Sequence, residues 1–148
     1  MKWYLPDAAW TNGELRRDVG VLVVGDKIVS VGPVDEGLGE VIRLHRRLLL
    51  PGFVNAHSHA FQRGLRGHVQ HAAGPDSFWT WRERMYLLAN ALDPEGIESV
   101  SALAFAEMLR AGFTTVGEFH YLHHQPDGTP YADPDELARR VVHAAERV

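Results

Sequence analysis

Histidine is over-supplied in this chain, with nine among 148 residues and seven of them between His57 and His124. The tightest pair is His57-Ser58-His59. Side chains two apart on a β-strand leave the same face. Two imidazoles so placed can both reach one metal ion, with Zn–N bonds of about 2.0–2.1 Å. The chain has no cysteine, so a metal here has only His, Asp and Glu to hold it. On spacing alone a second reading stays open, in which one imidazole caps a loop and the other is solvated.

Arg82 is the second feature. At 100° per residue, Phe78, Trp81, Met85, Leu88, Ala89 and Leu92 form one apolar arc, and Arg82 falls near its middle. A guanidinium on a packed face needs an anionic partner. That partner is a carboxylate of this chain or one of a substrate, unless the side chain snorkels to the rim. The third feature is Glu118-Phe119-His120-Tyr121-Leu122-His123-His124. Glu118 and His120 share a strand face. Tyr121 falls where the strand gives way to loop, and either lines a site or bonds the loop that turns toward Asp127-Gly128. His123 and His124 are adjacent, diverge, and read as loop histidines. Gln62 and Arg63 border whatever the histidine pair faces. Glu107 reads as a packing or ion-pair residue, and Trp79 and Trp81 as core. A Gly-rich phosphate loop, a Ser nucleophile elbow and a Cys nucleophile are all missing from the sequence.

These groups need a strand for the histidine pair and a helix for Arg82. Residues 53–56 form a short apolar run, which predicts a buried strand ending in His57 and His59. Strand ends of this kind are where β/α barrels keep their catalytic groups. Residues 60–75 are Gly- and His-rich without a period, and read as a functional or mobile loop. Asp76 or Ser77 caps the helix that carries Arg82. Asp93-Pro94 opens a second helix carrying Ile97, Val100, Ala104, Met108 and Ala111, with Gly112 as its C′ residue. Residues 114–119 read as a strand. Asp133-Pro134 opens a third helix with Leu137, Val141, Ala144 and Val148 on one face. Upstream, residues 21–24 and 27–31 form a hairpin about Gly25-Asp26, and Gly37 and Gly39 mark a loop. Residues 41–50 read as a further strand, with Val41, Arg43, His45 and Arg47 on one side of its pleat. The expected organisation is a small β-subdomain over 1–50 and two β/α units of a parallel sheet over 51–148.

Composition narrows the partners. Hydrophobic residues are 45% and charged residues 23%, as in a soluble globular chain rather than a disordered or low-complexity one. Fifteen Lys and Arg against 19 Asp and Glu give 15 − 19 = −4, with no electrostatic pull toward nucleic acid. The most apolar early run, residues 19–31, is broken by Gly25, Asp26 and Lys27, short of the ~20 apolar residues a span needs. Pro6 and Asp7 interrupt any signal-peptide core. Neither nucleic acid nor a membrane is expected as partner, and the lack of cysteine fits a reducing cytoplasm.

The residues also carry a resemblance. Leu50-Pro51-Gly52-Phe53-Val54-Asn55-Ala56-His57-Ser58-His59 resembles the first barrel strand of the amidohydrolase superfamily. Three longer strings are similar to the formimidoylglutamate deiminase branch: the run from His57 to Arg63, Asp76-Ser77-Phe78-Trp79-Thr80-Trp81-Arg82-Glu83, and the run from Gly117 to His124. The resemblance covers essentially the whole chain in order. It implies an α/β fold made of the first β/α units of an amidohydrolase-type (β/α)8 barrel, preceded by a small β-sandwich-like subdomain. It implies one divalent metal, zinc first, held by His57 and His59, and substrate contacts from Gln62, Arg82 and Tyr121. The implied reaction is hydrolysis of N-formimidoyl-L-glutamate to N-formyl-L-glutamate and ammonia, a step in histidine degradation. The implied partners are a small acidic substrate and, in the full-length enzyme, a second copy.

A (β/α)8 barrel takes about 250 residues, and the family keeps a further His, an Asp and its proton-transfer groups on later strands. The expectation is the front portion of a longer enzyme, with an incomplete barrel and no catalytic residue of its own, inactive and marginally folded alone. Two alternatives stay open. One is another amidohydrolase, such as an aromatic-base deaminase or a chlorohydrolase-like enzyme. The other is a non-enzymatic His-rich metal-binding remnant.

Overall fold

Strand β1 (Lys2–Thr11) organises the first part of the chain. Trp3 and Ala9, six residues apart and therefore on one face, are both buried. Residues 2–4 pair antiparallel with β3 (Gly20–Val24), and residues 9–11 pair antiparallel with β2 (Glu14–Arg16). Asn12 and Gly13, both at positive φ, make the two-residue turn between β1 and β2. Along its other edge β1 pairs parallel with β5 (Glu40–Leu49), and β4 (Lys27–Gly32) extends the sheet from β3. This is a computed structural model that describes residues 1–69 and 78–148, so the expected caps Asp76 and Ser77 and the last part of the expected loop lie outside the described residues. The chain divides into two compact units, Met1–Pro51 and Gly52–Val148.

Two expectations for the first unit are corrected. The described residues form one five-stranded sheet rather than a sandwich-like pair of layers, because β1 is long enough to pair with three strands at once. The continuous pleat face expected through Val41, Arg43, His45 and Arg47 is broken. Val41 and Arg43 pair with β1, but the register shifts between Pro6 and Ala8, and residues 45–47 leave the ladder. Pro6 has no N–H to give. The carboxylate of Asp7 instead accepts the Arg46 N–H at 2.7 Å, with Arg46 at φ 58°. The result is a bulge.

In the second unit β6 (Phe53–Ser58) and β7 (Phe113–Glu118) pair in parallel, joined by α1 (Phe78–Ala91) and α2 (Pro94–Arg110). The strands approach closely at Gly117, where a Cβ would sit 3.2 Å from the Ala56 carbonyl oxygen. Asp93 caps α2 by accepting the Gly96 N–H at 2.7 Å. Gly112 ends the helix at φ +90°, a conformation that favours glycine. A last helix, α3 (Glu136–Glu146), packs on α2. Ile97 and Ala144 are fully buried where the two meet, with Phe105, Leu137 and Val141 around them. Glu98, only 7% exposed, receives Arg140 at 3.1 Å, Arg147 at 2.5 Å and the His143 ring at 3.1 Å. Bonds from Arg147, His143 and Arg140 hold its carboxyl down at about 2.

Other elements differ from expectation. The first part of the supposed loop is a 3-10 helix, Ala60–Leu65, whose Ala60, Phe61 and Leu65 are core residues. Trp79 is not core: it is 64% exposed, as is Phe78 at 63%, because α1 buries only a narrow stripe centred on Met85. Trp81 is half-buried against the core. Val148 lies beyond the end of α3 and is exposed, unlike Leu137, Val141 and Ala144. No helix among the described residues is long and apolar enough to cross a membrane.

Candidate metal centre

The histidine pair sits where β6 ends. Its side chains leave one face, as strand geometry requires, and His57 Nε2 comes to 3.0 Å from His59 Nε2 with the rings nearly perpendicular. His59 Nδ1 lies 2.9 Å from the carbonyl oxygen of Phe119. A carbonyl only accepts, so Nδ1 carries the proton and Nε2 keeps its lone pair toward His57. The backbone of His57 is fixed by Asn55, whose Oδ1 accepts the His57 N–H at 3.2 Å. Two nitrogens on a tetrahedral zinc stand roughly 3.3 Å apart, close to the separation found here. The donor set therefore fits a metal ion. It offers two ligands, and no group of three His, Asp or Glu able to hold a metal occurs among the described residues.

Gln62 and Tyr121 meet beside this pair. Gln62 Nε2 donates to Tyr121 Oη at 2.6 Å, and that hydroxyl donates to the Met85 sulfur at 3.8 Å. The Tyr121 ring stands edge-on to His59 with centroids 5.1 Å apart. Burial pushes the Tyr121 phenol up from its ordinary value, so it stays protonated at neutral pH. The sequence left Tyr121 between a site and the Asp127-Gly128 loop. Its partners are Gln62 and Met85, not that loop.

Arg82 lies one helical turn before Tyr86 on α1, and it is held there. Its guanidinium donates to Tyr86 Oη at 3.0 and 3.3 Å and lies over the rings of Tyr86 and Trp79, at 5.0 and 5.6 Å from their centroids. Among the described residues no carboxylate pairs with it. It makes no direct bond to His57, His59, Gln62 or Tyr121 among them.

The remaining candidates are structural. Arg63 grips Glu107 through two bonds of 2.5 and 2.7 Å, which ties the 3-10 helix to α2. The bond from Arg63 lowers the Glu107 carboxyl and raises the Arg63 guanidinium in turn. β7 ends at Glu118, so His120 lies beyond the ladder and does not bond Glu118. His120 instead stacks edge-on against His123 with centroids 5.2 Å apart, and burial depresses its pKa. His124 forms an isolated bridge to Pro130. Asn55 and Met85 were not singled out in the sequence. An Asn inside a β-rich apolar run was the available signal, since Asn is depleted in strands; nothing marked Met85 apart from its apolar arc.

The model of the amidohydrolase family matches residues 48–148, more than half of the chain. This chain belongs to the amidohydrolase family. Among its relatives is the formimidoylglutamate deiminase of Pseudomonas aeruginosa, 54% identical over 98 residues, covering 66% of this chain and 22% of that one. A 5-methylthioadenosine/S-adenosylhomocysteine deaminase of Pelotomaculum thermopropionicum is 31% identical over 121 residues, 78% of this chain and 26% of that one. The crystal structure of an amidohydrolase from Brucella melitensis superposes with a TM-score of 0.86 at 39% identity, over 99% of this chain and 33% of that one. An atrazine chlorohydrolase variant from Arthrobacter aurescens TC1, complexed with zinc and atraton, gives 0.76 at 25% identity, over 99% and 33%. The chain thus spans about a quarter of the length of these curated relatives. The amidohydrolase membership expected from the sequence stands on these matches.

Proposed function

We propose that this chain supplies the first metal-binding strand and part of the substrate pocket of a zinc-dependent deiminase. The enzyme hydrolyses N-formimidoyl-L-glutamate to N-formyl-L-glutamate and ammonia in histidine degradation, in the cytoplasm. The observation that carries this reading is the 54% identity with a formimidoylglutamate deiminase across 98 residues. The two β/α units are then the opening of a (β/α)8 barrel, and the enzyme's other metal ligands lie outside the described residues.

His57 and His59 would hold the metal, with the Phe119 carbonyl fixing the His59 ring. When bound, the ion supplies the Lewis acidity that activates water for hydrolysis near neutral pH. Arg82 recognises a substrate carboxylate. Its planar fork is already held against the Tyr86 and Trp79 rings and is paired with no carboxylate among the described residues, which lowers the cost of a bidentate contact. Gln62, with one N–H committed to Tyr121, presents its carbonyl oxygen and second N–H to a polar substrate. Tyr121 stays neutral, so it can orient substrate without adding charge beside an anion.

The test is substrate choice by the intact protein with zinc. Ammonia should be released from N-formimidoyl-L-glutamate, and Arg82→Met should raise KM about 10–100-fold, the worth of a hydrogen-bonded charge pair. Unchanged kinetics in Arg82→Met would remove the carboxylate clamp and favour a neutral substrate, such as a purine nucleoside or a chlorinated ring.

A further inference from the structure

The end of β7 is tied to the histidine pair without joining its donor set. Glu118 Oε1 accepts the N–H of Ala60 at 2.7 Å, the residue directly after His59. Its Oε2 is buried and has no hydrogen-bond partner among the described residues. The next residue, Phe119, binds His59 Nδ1 through its carbonyl and gives its N–H to the Ser58 carbonyl oxygen at 2.8 Å. Two consecutive residues of the second strand end thus fix Ser58, His59 and Ala60 at the first. The cavity beside them is lined by Ala56, His57, His59, Gly117, Glu118 and Phe119.

The chemistry of the Glu118 contact is stronger than its count suggests. A carboxylate accepting a backbone N–H makes a charge-assisted bond, roughly twice as strong as a neutral one. The bond is partly buried, which limits how far water competes for it. Ala60 is itself buried, so its N–H without Glu118 would be a desolvated, orphaned donor. The 3-10 helix would then have to shift at its first residue, and His59 with it.

We infer that Glu118 is a positioning residue for the histidine pair. It sets the backbone at Ala60 and, through it, the approach of His59 Nε2 to His57 Nε2. This rests on the reading of the pair as a metal site. Groups that orient metal ligands typically change metal affinity 10–100-fold when removed.

The experiment measures zinc affinity of the intact protein by competition with a chromogenic chelator, with melting curves for every variant. Four proteins are compared: wild type, Glu118→Met, Glu118→Gln and a His57→Ala, His59→Ala double variant. Glu118→Met keeps the side-chain bulk and removes the acceptor, so zinc should bind about 10–100-fold more weakly. Glu118→Gln keeps an acceptor for Ala60 and should stay within about threefold of wild type. Wild-type zinc affinity in Glu118→Met, with binding lost in the double variant, overturns the inference alone. So does a Gln variant that falls as far as the Met variant, since the bond would not then be the cause. If the double variant binds zinc as wild type does, the metal reading fails instead. If Glu118→Met does not fold, the test moves to the Ala60 amide proton, expected downfield in wild type and displaced upfield in Glu118→Gln. An Ala60 amide that does not move between the two overturns the inference.

Discussion

The histidine pair is held by backbone before it holds anything. The Phe119 carbonyl oxygen accepts a hydrogen bond from His59 Nδ1, and Asn55 Oδ1 accepts the His57 N–H. If the pair holds the metal as proposed, removing one of the two should cost most of the site: His59→Ala is expected to weaken zinc binding more than about 100-fold, beyond the range for groups that only orient ligands, read by chelator competition. The Gln62–Tyr121 bond is a separate, smaller effect. Tyr121→Phe removes an acceptor from Gln62 and a donor from Met85, and should raise KM for the acidic substrate about fivefold, the worth of one net hydrogen bond, with folding intact. The approach of His57 to His59 was legible in the sequence because imidazoles at strand spacing leave one face, whereas Arg82 stood out as a cation inside an apolar arc without showing that Tyr86 and Trp79 hold it. What was not legible is which group each one touches. Glu118 read as sharing a strand face with His120, yet β7 stops at Glu118 and its carboxylate reaches across to Ala60. Trp79 read as core by residue type, yet it lies exposed over Arg82.

At the scale of elements, the α2–α3 contact carries the second unit. Ile97 is fully buried in it, and Ile97→Ala should cost about 2–5 kcal/mol through lost burial and the cavity left behind, read by chemical denaturation. Glu98 adds a pH-dependent contribution. Its carboxyl falls from 4.5 to about 2 in the folded state, chiefly through Arg147. A folded value below the unfolded one stabilises the fold above the unfolded pKa, and that stability is lost as pH falls through the folded value. Wild type should therefore melt above Glu98→Gln at neutral pH, with the gap narrowing as pH falls from 4.5 toward 2. A gap that stays constant over that window would assign the ion cluster no part in stability. Helix α2 was legible because its apolar period and its Asp93 cap agree; α3 keeps the period, but it begins at Glu136 after an Asp135 that makes no side-chain cap bond, not at Asp133-Pro134. Strand β1 was not, because Pro6 and Asp7 disguise it as a break. The structure uses both, one lacking a donor and the other supplying an acceptor, to make the bulge opposite Arg46.

At the scale of the whole molecule, the parallel pair stands with much apolar surface in water: Phe53 and Val54 on β6 are 49% and 64% exposed, Phe119 just past the end of β7 is 64% exposed, and Leu87 on α1 is 71% exposed. Parallel strands are stable when both faces are covered. These 148 residues on their own are therefore expected to bind a hydrophobic dye strongly and to melt broadly; a sharp transition without dye binding would contradict that. The sequence already implied this through its two β/α units. It could not show that the first unit is one sheet, since strand number does not fix how strands layer. The central claim is hydrolysis of an acidic formimidoyl substrate at a metal held by His57 and His59. The most direct measurement is ammonia release by the intact, zinc-loaded protein from N-formimidoyl-L-glutamate, beside 5-methylthioadenosine at the same concentration. Release from the first, abolished in the His57→Ala, His59→Ala variant, is the predicted result. Release from the nucleoside and none from the glutamate derivative would contradict the claim.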